Sequence, residues 1–150
     1  MLEPGDDAPD VSAPNQYGEM VTPDFAEPTV VYFYPKDFTG GCTIEARDFQ
    51  ETYPKFREGG ITVYGVSMDS VESHDEFAEA EGVVYDLLAD PDGEAAEAFG
   101  LDTSDGHTDR VTFVVAEGEV KNVYHPAMGN PECHAEEVLL DTRNEFVQGG

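Results

Sequence analysis

Tryptophan is absent from this 150-residue chain, cysteine occurs twice, and lysine plus arginine number seven against 33 aspartates and glutamates. The missing tryptophan carries no functional information, but the other shortages exclude whole classes. With no basic stripe to neutralise phosphates, nucleic-acid binding is ruled out. Two cysteines, Cys42 and Cys133, are too few for a disulfide scaffold; such a pair reads as catalytic or redox-active. No stretch approaches the roughly 18 apolar residues of a membrane span, and Met1-Leu2-Glu3-Pro4-Gly5-Asp6-Asp7 has no apolar secretory core, so a cytoplasmic protein is expected. Metal ligation is also poorly served. His107, His125 and His134 with Cys133 lack the tight spacings of zinc sites, and Asp90-Pro91-Asp92-Gly93 lacks the calcium-loop pattern. No metal or other cofactor is expected.

What the chain has is acid. The net charge is −26, and the acids recur along the whole length instead of gathering in a tail. Self-repulsion on this scale opposes a compact state. At molar salt the Debye length falls to about 3 Å and the repulsion is largely screened. An evenly acidic, lysine-poor domain therefore points to a salt-rich cytoplasm such as that of halophilic archaea. The competing reading, an acidic module binding basic partners, fits clustered charge better. With 39% apolar residues the chain can bury a core, so disorder is not expected.

The hydrophobic pattern predicts one α/β domain over 1–150. Pro9, Pro14, Pro23 and Pro28 punctuate an opening segment with a short hairpin around Asn15-Gln16-Tyr17-Gly18. Thr29 to Tyr34 is a continuous β-branched and aromatic run, the mark of a strand buried on both faces. From Cys42 to about Glu58, Ala46, Phe49, Tyr53 and Phe56 mark one helical stripe, which Pro54 is expected to kink or restart. Strands follow at 61–67 and 85–88, with a helix after Ser70 between them and a brief helix over 94–99. A hairpin spans 111–124 across Glu117-Gly118, and a last helix runs from Asn130 to about Val147. This order describes a central mixed β-sheet with helices on both faces and an N-terminal hairpin extension.

Cys42 opens the first long helix, after the glycine-hinged turn Pro35-Lys36-Asp37-Phe38-Thr39-Gly40-Gly41. Unpaired N–H groups and the positive end of the helix dipole favour the thiolate there. A thiolate is the nucleophilic form, and a buried structural cysteine has no need of such a turn.

These residues resemble the peroxiredoxins, specifically the bacterioferritin comigratory protein subfamily. The similarity covers nearly the whole chain: YFYPKDFTGGCTIEARDF around Cys42, VYGVSMDSVESHDEFAE, LLADPDGEAAEAFG, RVTFVV, and HAEEVL near the end. The resemblance implies a thioredoxin-like fold and thiol-dependent reduction of hydroperoxides. It implies Cys42 as the peroxidatic cysteine, with Thr39, Pro35 and Arg110 completing the active site and Glu45 orienting the arginine. The chemistry fits. Arg110 offers several fixed N–H groups to a thiolate, Thr39 a hydroxyl that donates and accepts, and Pro35 shapes the pocket without an N–H of its own.

The chain departs from the family pattern twice. Gly40 stands where a second proline is usual. Arg47 stands where many members carry a resolving cysteine five residues after the peroxidatic one. The remaining thiol, Cys133, lies before the last helix, a place similar to the resolving cysteine of atypical two-cysteine peroxiredoxins. The resemblance thus implies resolution by Cys133 and recycling by a thioredoxin-like dithiol, in a monomer or weak homodimer. A one-cysteine enzyme resolved by an external thiol stays open. Two rivals of another class are a thioredoxin-like disulfide carrier and an acidic binding or holdase protein. The first normally wants Cys-x-x-Cys, where Glu45 now sits; the second has no use for Thr39, Cys42 and Arg110 together.

Overall fold

The computed structural model describes residues 2–37, 40–104, 106–108 and 110–124; at 40–42, 44 and 45 it describes the backbone path alone. A two-stranded hairpin comes first, β1 (Ala13–Pro14) and β2 (Met20–Val21). Then follow β3 (Thr29–Phe33), α1 (Gly40–Glu58), β4 (Thr62–Ser67), α2 (Val71–Glu81), β5 (Asp86–Ala89) and α3 (Glu94–Ala98). The hairpin β6 (Val111–Ala116) and β7 (Glu119–Tyr124) completes the described chain.

The strands form a five-stranded sheet in the order β5-β4-β3-β6-β7. β3, β4 and β5 are mutually parallel, while β6 runs antiparallel to β3 and β7 antiparallel to β6. The mixed sheet is the one the sequence pattern predicts, and β3, buried at every residue, lies at its centre. Parallel neighbours demand crossover helices; α1 and α2 pack on one face of the sheet, and α3 with the N-terminal segment covers the other. Val30, Tyr32 and Tyr34 point toward α1 and α2, packing with Ala46, Phe49, Phe56 and Phe77. Val31 and Phe33 point the other way, into a cluster with Phe99, Phe113, Ala96, Phe25 and Ala13.

Local chemistry explains the elements. Ser70 caps α2 by accepting from the Ser73 N–H at 3.1 Å, and Gly82 ends it in the left-handed region at φ 69°. The β6–β7 turn carries positive φ at both central residues, Glu117 at 56° and Gly118 at 75°, as a two-residue hairpin requires. In the opening hairpin the Asn15 side chain accepts from Tyr17 and Glu19 N–H groups. Gln16 then bonds the Tyr85 carbonyl and the Leu87 N–H, so the hairpin covers the open edge of β5. At Gly65, opposite Tyr32 in the register, an added Cβ would lie 2.8 Å from the Tyr32 ring and from Leu87. Only glycine admits that tyrosine.

One expectation needs correction. Pro54 does not restart the first helix: α1 runs unbroken from Gly40 to Glu58 with Pro54 inside it. Pro54 sits on the exposed side, while Ala46, Phe49 and Phe56 hold the helix to the sheet by burial. That packing, with aromatic side chains each contributing about 1.5–3 kcal/mol, outweighs the loss of one hydrogen bond. The predicted last helix, 130–147, lies outside the described residues.

Candidate active site

The carboxyl ends of β3, β4 and β5 lie side by side, and the chain leaves each of them toward a helix. Pro35 follows β3 by two residues and is half-buried. Cys42 is the third residue of α1 and Glu45 the sixth, so Cys42 falls in the first turn as predicted. Arg110 immediately precedes β6. Because Phe33 pairs with Val111, the register brings Arg110 to the end of β3 where Pro35 begins. Residues 75 positions apart in sequence are thereby made neighbours by strand pairing. Thr39 and Cys133 lie outside the described residues, as do His125 and His134. His107 is an exposed loop residue, in line with a surface role.

Arg47 is on the solvent side of α1, and its Nε meets Glu81 Oε1 of α2 at 2.5 Å. The position that often carries a resolving thiol here carries a surface ion pair joining two helices. Such an exposed pair contributes little, about 0–1 kcal/mol.

Next to the Cys42 loop stands a group of side chains that the sequence reading did not single out. Asp37 is 3% exposed although it lies in a loop. Its Oδ1 accepts from Tyr34 Oη at 2.6 Å, and its Oδ2 accepts from Ser73 Oγ at 2.8 Å. His74 Nδ1 lies 2.7 Å from the same Oδ2, and His74 Nε2 lies 3.0 Å from the Leu88 carbonyl. A carbonyl only accepts, so Nε2 carries a proton, and Nδ1 donates to the carboxylate. The Asp37 backbone N–H meanwhile donates to Asp69 Oδ2 at 2.8 Å, which also accepts from Ser67 Oγ at 2.6 Å. Burial and the Asp37 charge push the Tyr34 phenol well above its ordinary value, so it stays protonated and donates.

Asp37, Asp69 and His74 approach one another closely enough to suggest a cation site. Their hydrogen bonds argue otherwise: both His74 nitrogens face protein acceptors, and Asp69 already accepts from a backbone N–H and a hydroxyl. A signal for this group was present in the sequence. His74 stands three and four residues before Phe77 and Ala78, on the inward stripe of α2. A histidine on a buried stripe must find polar partners.

A second tie reaches α1 beyond Cys42. Tyr85 Oη donates to the Ala46 carbonyl at 3.1 Å and lies 2.6 Å from Tyr32 Oη. Tyr32 is itself stacked on Phe49 at 4.4 Å with 4° between the rings.

Comparisons with known proteins agree with this architecture. The AhpC/TSA family model matches residues 4–123. Peroxiredoxin Bcp of Escherichia coli K12 is 37% identical over 134 residues, covering 82% of this chain and 85% of its own. Peroxiredoxin Bcp of Bacillus subtilis is 42% identical over 102 residues, covering 67% and 65%. The crystal structure of BcpB from Mycobacterium tuberculosis superposes with a TM-score of 0.87 at 30% identity, covering 96% of this chain and 98% of that one. A structure of the Xanthomonas campestris bacterioferritin comigratory protein, described for its alkyl peroxide reduction activity, gives 0.79 at 31% identity, covering 90% and 91%. With a thioredoxin-like sheet and a cysteine in the first turn of its first long helix, the chain belongs to the AhpC/TSA family, among the Bcp peroxiredoxins, and is a thiol peroxidase.

Proposed function

We propose that Cys42 is the peroxidatic cysteine and that Thr39, Pro35, Arg110 and Glu45 form its surroundings. The observation that carries this reading is that the chain runs from the end of β3 into α1 with Cys42 in its first turn, while the Phe33–Val111 register sets Arg110, at the start of β6, beside that same end of β3. The helix terminus favours the thiolate, and Arg110 supplies N–H groups toward the same end of the sheet. The Cys42 sulfur attacks one oxygen of the hydroperoxide, the S–O bond forms as the O–O bond breaks, and the departing oxygen takes a proton to leave as water or alcohol. Cys42 is left as the sulfenic acid. Stabilising charge on the departing oxygen is the work of Arg110 and the Thr39 hydroxyl, and Glu45 orients the arginine.

Cys133 then attacks the sulfenic sulfur, forming a 42–133 disulfide and releasing water. A thioredoxin-like dithiol restores both thiols by exchange. Arg47, committed to Glu81, leaves the nearby position without a thiol and supports this longer route. The alkyl peroxide activity named for the Xanthomonas relative supports organic hydroperoxides as substrates beside hydrogen peroxide. Among the described residues the large exposed apolar side chains are Tyr17, Met20 and Val84, which supports a monomer or weak homodimer. The net charge of −26 supports work in a salt-rich cytoplasm.

Peroxide consumption with dithiothreitol tests the reading. Wild type consumes peroxide, while Cys42→Ser, still folded, loses turnover because a serine hydroxyl offers almost no anion at neutral pH. Turnover near wild type in that variant contradicts the assignment. Cycling of Cys133→Ser at the wild-type rate with thioredoxin moves the mechanism to one cysteine.

A further inference from the structure

Asp37, five residues before Cys42 in the chain, and His74 form a buried hydrogen-bonded pair, with no exposure at the His74 side chain and 1% at that of Asp37. A buried pair of this kind contributes little net stability compared with well-packed apolar residues. What it supplies is fixed geometry, because each hydrogen bond is directional and each partner belongs to a different element.

The partners are spread in a telling way. Tyr34 and Asp37 leave β3, Ser67 and Asp69 leave β4, Ser73 and His74 belong to α2, and the Leu88 carbonyl belongs to β5. The start of the Cys42 loop is thus referenced to four elements at once. On the far side, Ala46 of α1 is held by Tyr85 Oη, beside the first residue of β5. The segment carrying Cys42 is therefore fixed at both ends, at 37 and at 46, by hydrogen bonds to the β5 side of the sheet.

We propose that Asp37 and His74 are positioning residues for Cys42: their pair sets where the thiolate stands relative to an incoming hydroperoxide. The proposal rests on Cys42 being the reacting thiol. In-line attack on an O–O bond demands alignment, whereas alkylation by a small reagent demands only an accessible thiolate, and displacement of about 1 Å costs on the order of a hundredfold in an aligned reaction. The two reactions separate position from thiol ionisation.

The test uses the full chain carrying Cys133→Ser, so that Cys42 is the one thiol. Two rate constants are measured at one pH: oxidation by hydrogen peroxide, in competition with horseradish peroxidase, and alkylation by iodoacetamide. His74→Gln keeps a donor near Nε2 but loses the one at Nδ1; His74→Asn keeps the donor toward Asp37. The expected result for His74→Gln is oxidation slowed about tenfold or more with alkylation within about twofold, and recovery to within about threefold of the parent in His74→Asn. If a His74 variant does not fold, as judged by circular dichroism, Tyr34→Phe removes one donor to Asp37 at smaller cost. It is expected to slow oxidation by about threefold without changing alkylation. Oxidation within about twofold of the parent in every folded variant, or a parallel fall in both reactions, overturns the proposal. Failure of the underlying reading is a separate result: Cys42→Ser would go on consuming peroxide.

Discussion

The two faces of the central sheet are built from different aromatic side chains. The face under α1 and α2 buries Tyr32, Tyr34 and Tyr85 among its phenylalanines, and each tyrosine hydroxyl is tied: to one another, to the Ala46 carbonyl, or to Asp37. The face under α3 and the N-terminal segment buries Phe25, Phe33, Phe99 and Phe113 with valines and leucines; among the described residues its tyrosine, Tyr64, is only partly buried. Phe99 lies 4.8 Å from Phe113 and 5.3 Å from Phe33, centroid to centroid. Both faces bury comparable rings, so both supply hydrophobic stabilisation. Hydroxyls add little to stability but fix directions. They occur on the face that carries the Cys42 helix. The contrast separates a face that holds the fold from a face that also holds a geometry.

Truncating the phenylalanine face should show the largest effect. Phe99→Ala leaves a cavity among fully buried rings and is expected to lower stability by about 3–5 kcal/mol in urea unfolding. Below its melting range, the oxidation rate of Cys42 should stay at the wild-type value. A slowed rate in well-folded protein would merge the two roles. Arg110→Ala comes next, since Arg110 stands where β6 begins beside the site. It is expected to lower peroxide reduction by about a hundredfold or more, by analogy with lost oxyanion donors, and to leave the urea midpoint nearly unchanged.

Tyr85→Phe sharpens the contrast from the other side. It removes the hydroxyl that holds Ala46 and faces Tyr32, at a cost of about 1–2 kcal/mol. Unlike Phe99→Ala, this smaller loss should come with slower oxidation of Cys42.

The smallest effect is on pH dependence. Burial pushes the Asp90 carboxyl above its ordinary value, against the opposing Ala95 and Ala96 N–H bonds. Burial does the same at Asp86, against the Asn15 bond and with help from Glu19. Each group therefore holds its proton to a higher pH folded than unfolded. Stability should rise slightly as pH falls from neutral toward the ordinary carboxylate range near 4, with full gain below it. At the exposed Asp102, N–H and hydroxyl bonds from Ser104 shift the carboxyl down and oppose this weakly. Urea midpoints in molar salt, where general repulsion is screened, measure the balance; a fall between pH 7 and 5 contradicts it.

Much of this was legible in the sequence. Local patterns placed β3, the Cys42 helix, α2 and the β6–β7 hairpin, because apolar runs, hydrophobic repeats, caps and turn residues are local signals. Ser70 was readable as a cap for the same reason. The first helix does not restart at Pro54 because exposure and the packing of Phe49 and Phe56 override a local propensity. Arg110 could be joined to Cys42 by motif, but its place beside Pro35 depends on strand register, which no local pattern encodes. Asp37 and His74 were missed for a related reason. Asp37 looks like an ordinary loop residue until β3, β4 and α2 converge and bury it, and the inward place of His74 on α2 does not name its partners before they do.

The most direct measurement is the location of the first oxidised atom. One equivalent of hydrogen peroxide is added with dimedone to the Cys133→Ser and Cys42→Ser proteins, and the adduct is mapped by peptide mass spectrometry. The account predicts a sulfenic adduct on Cys42 in the first protein and none on Cys133 in the second. An adduct on Cys133 formed as fast as that on Cys42 would contradict it.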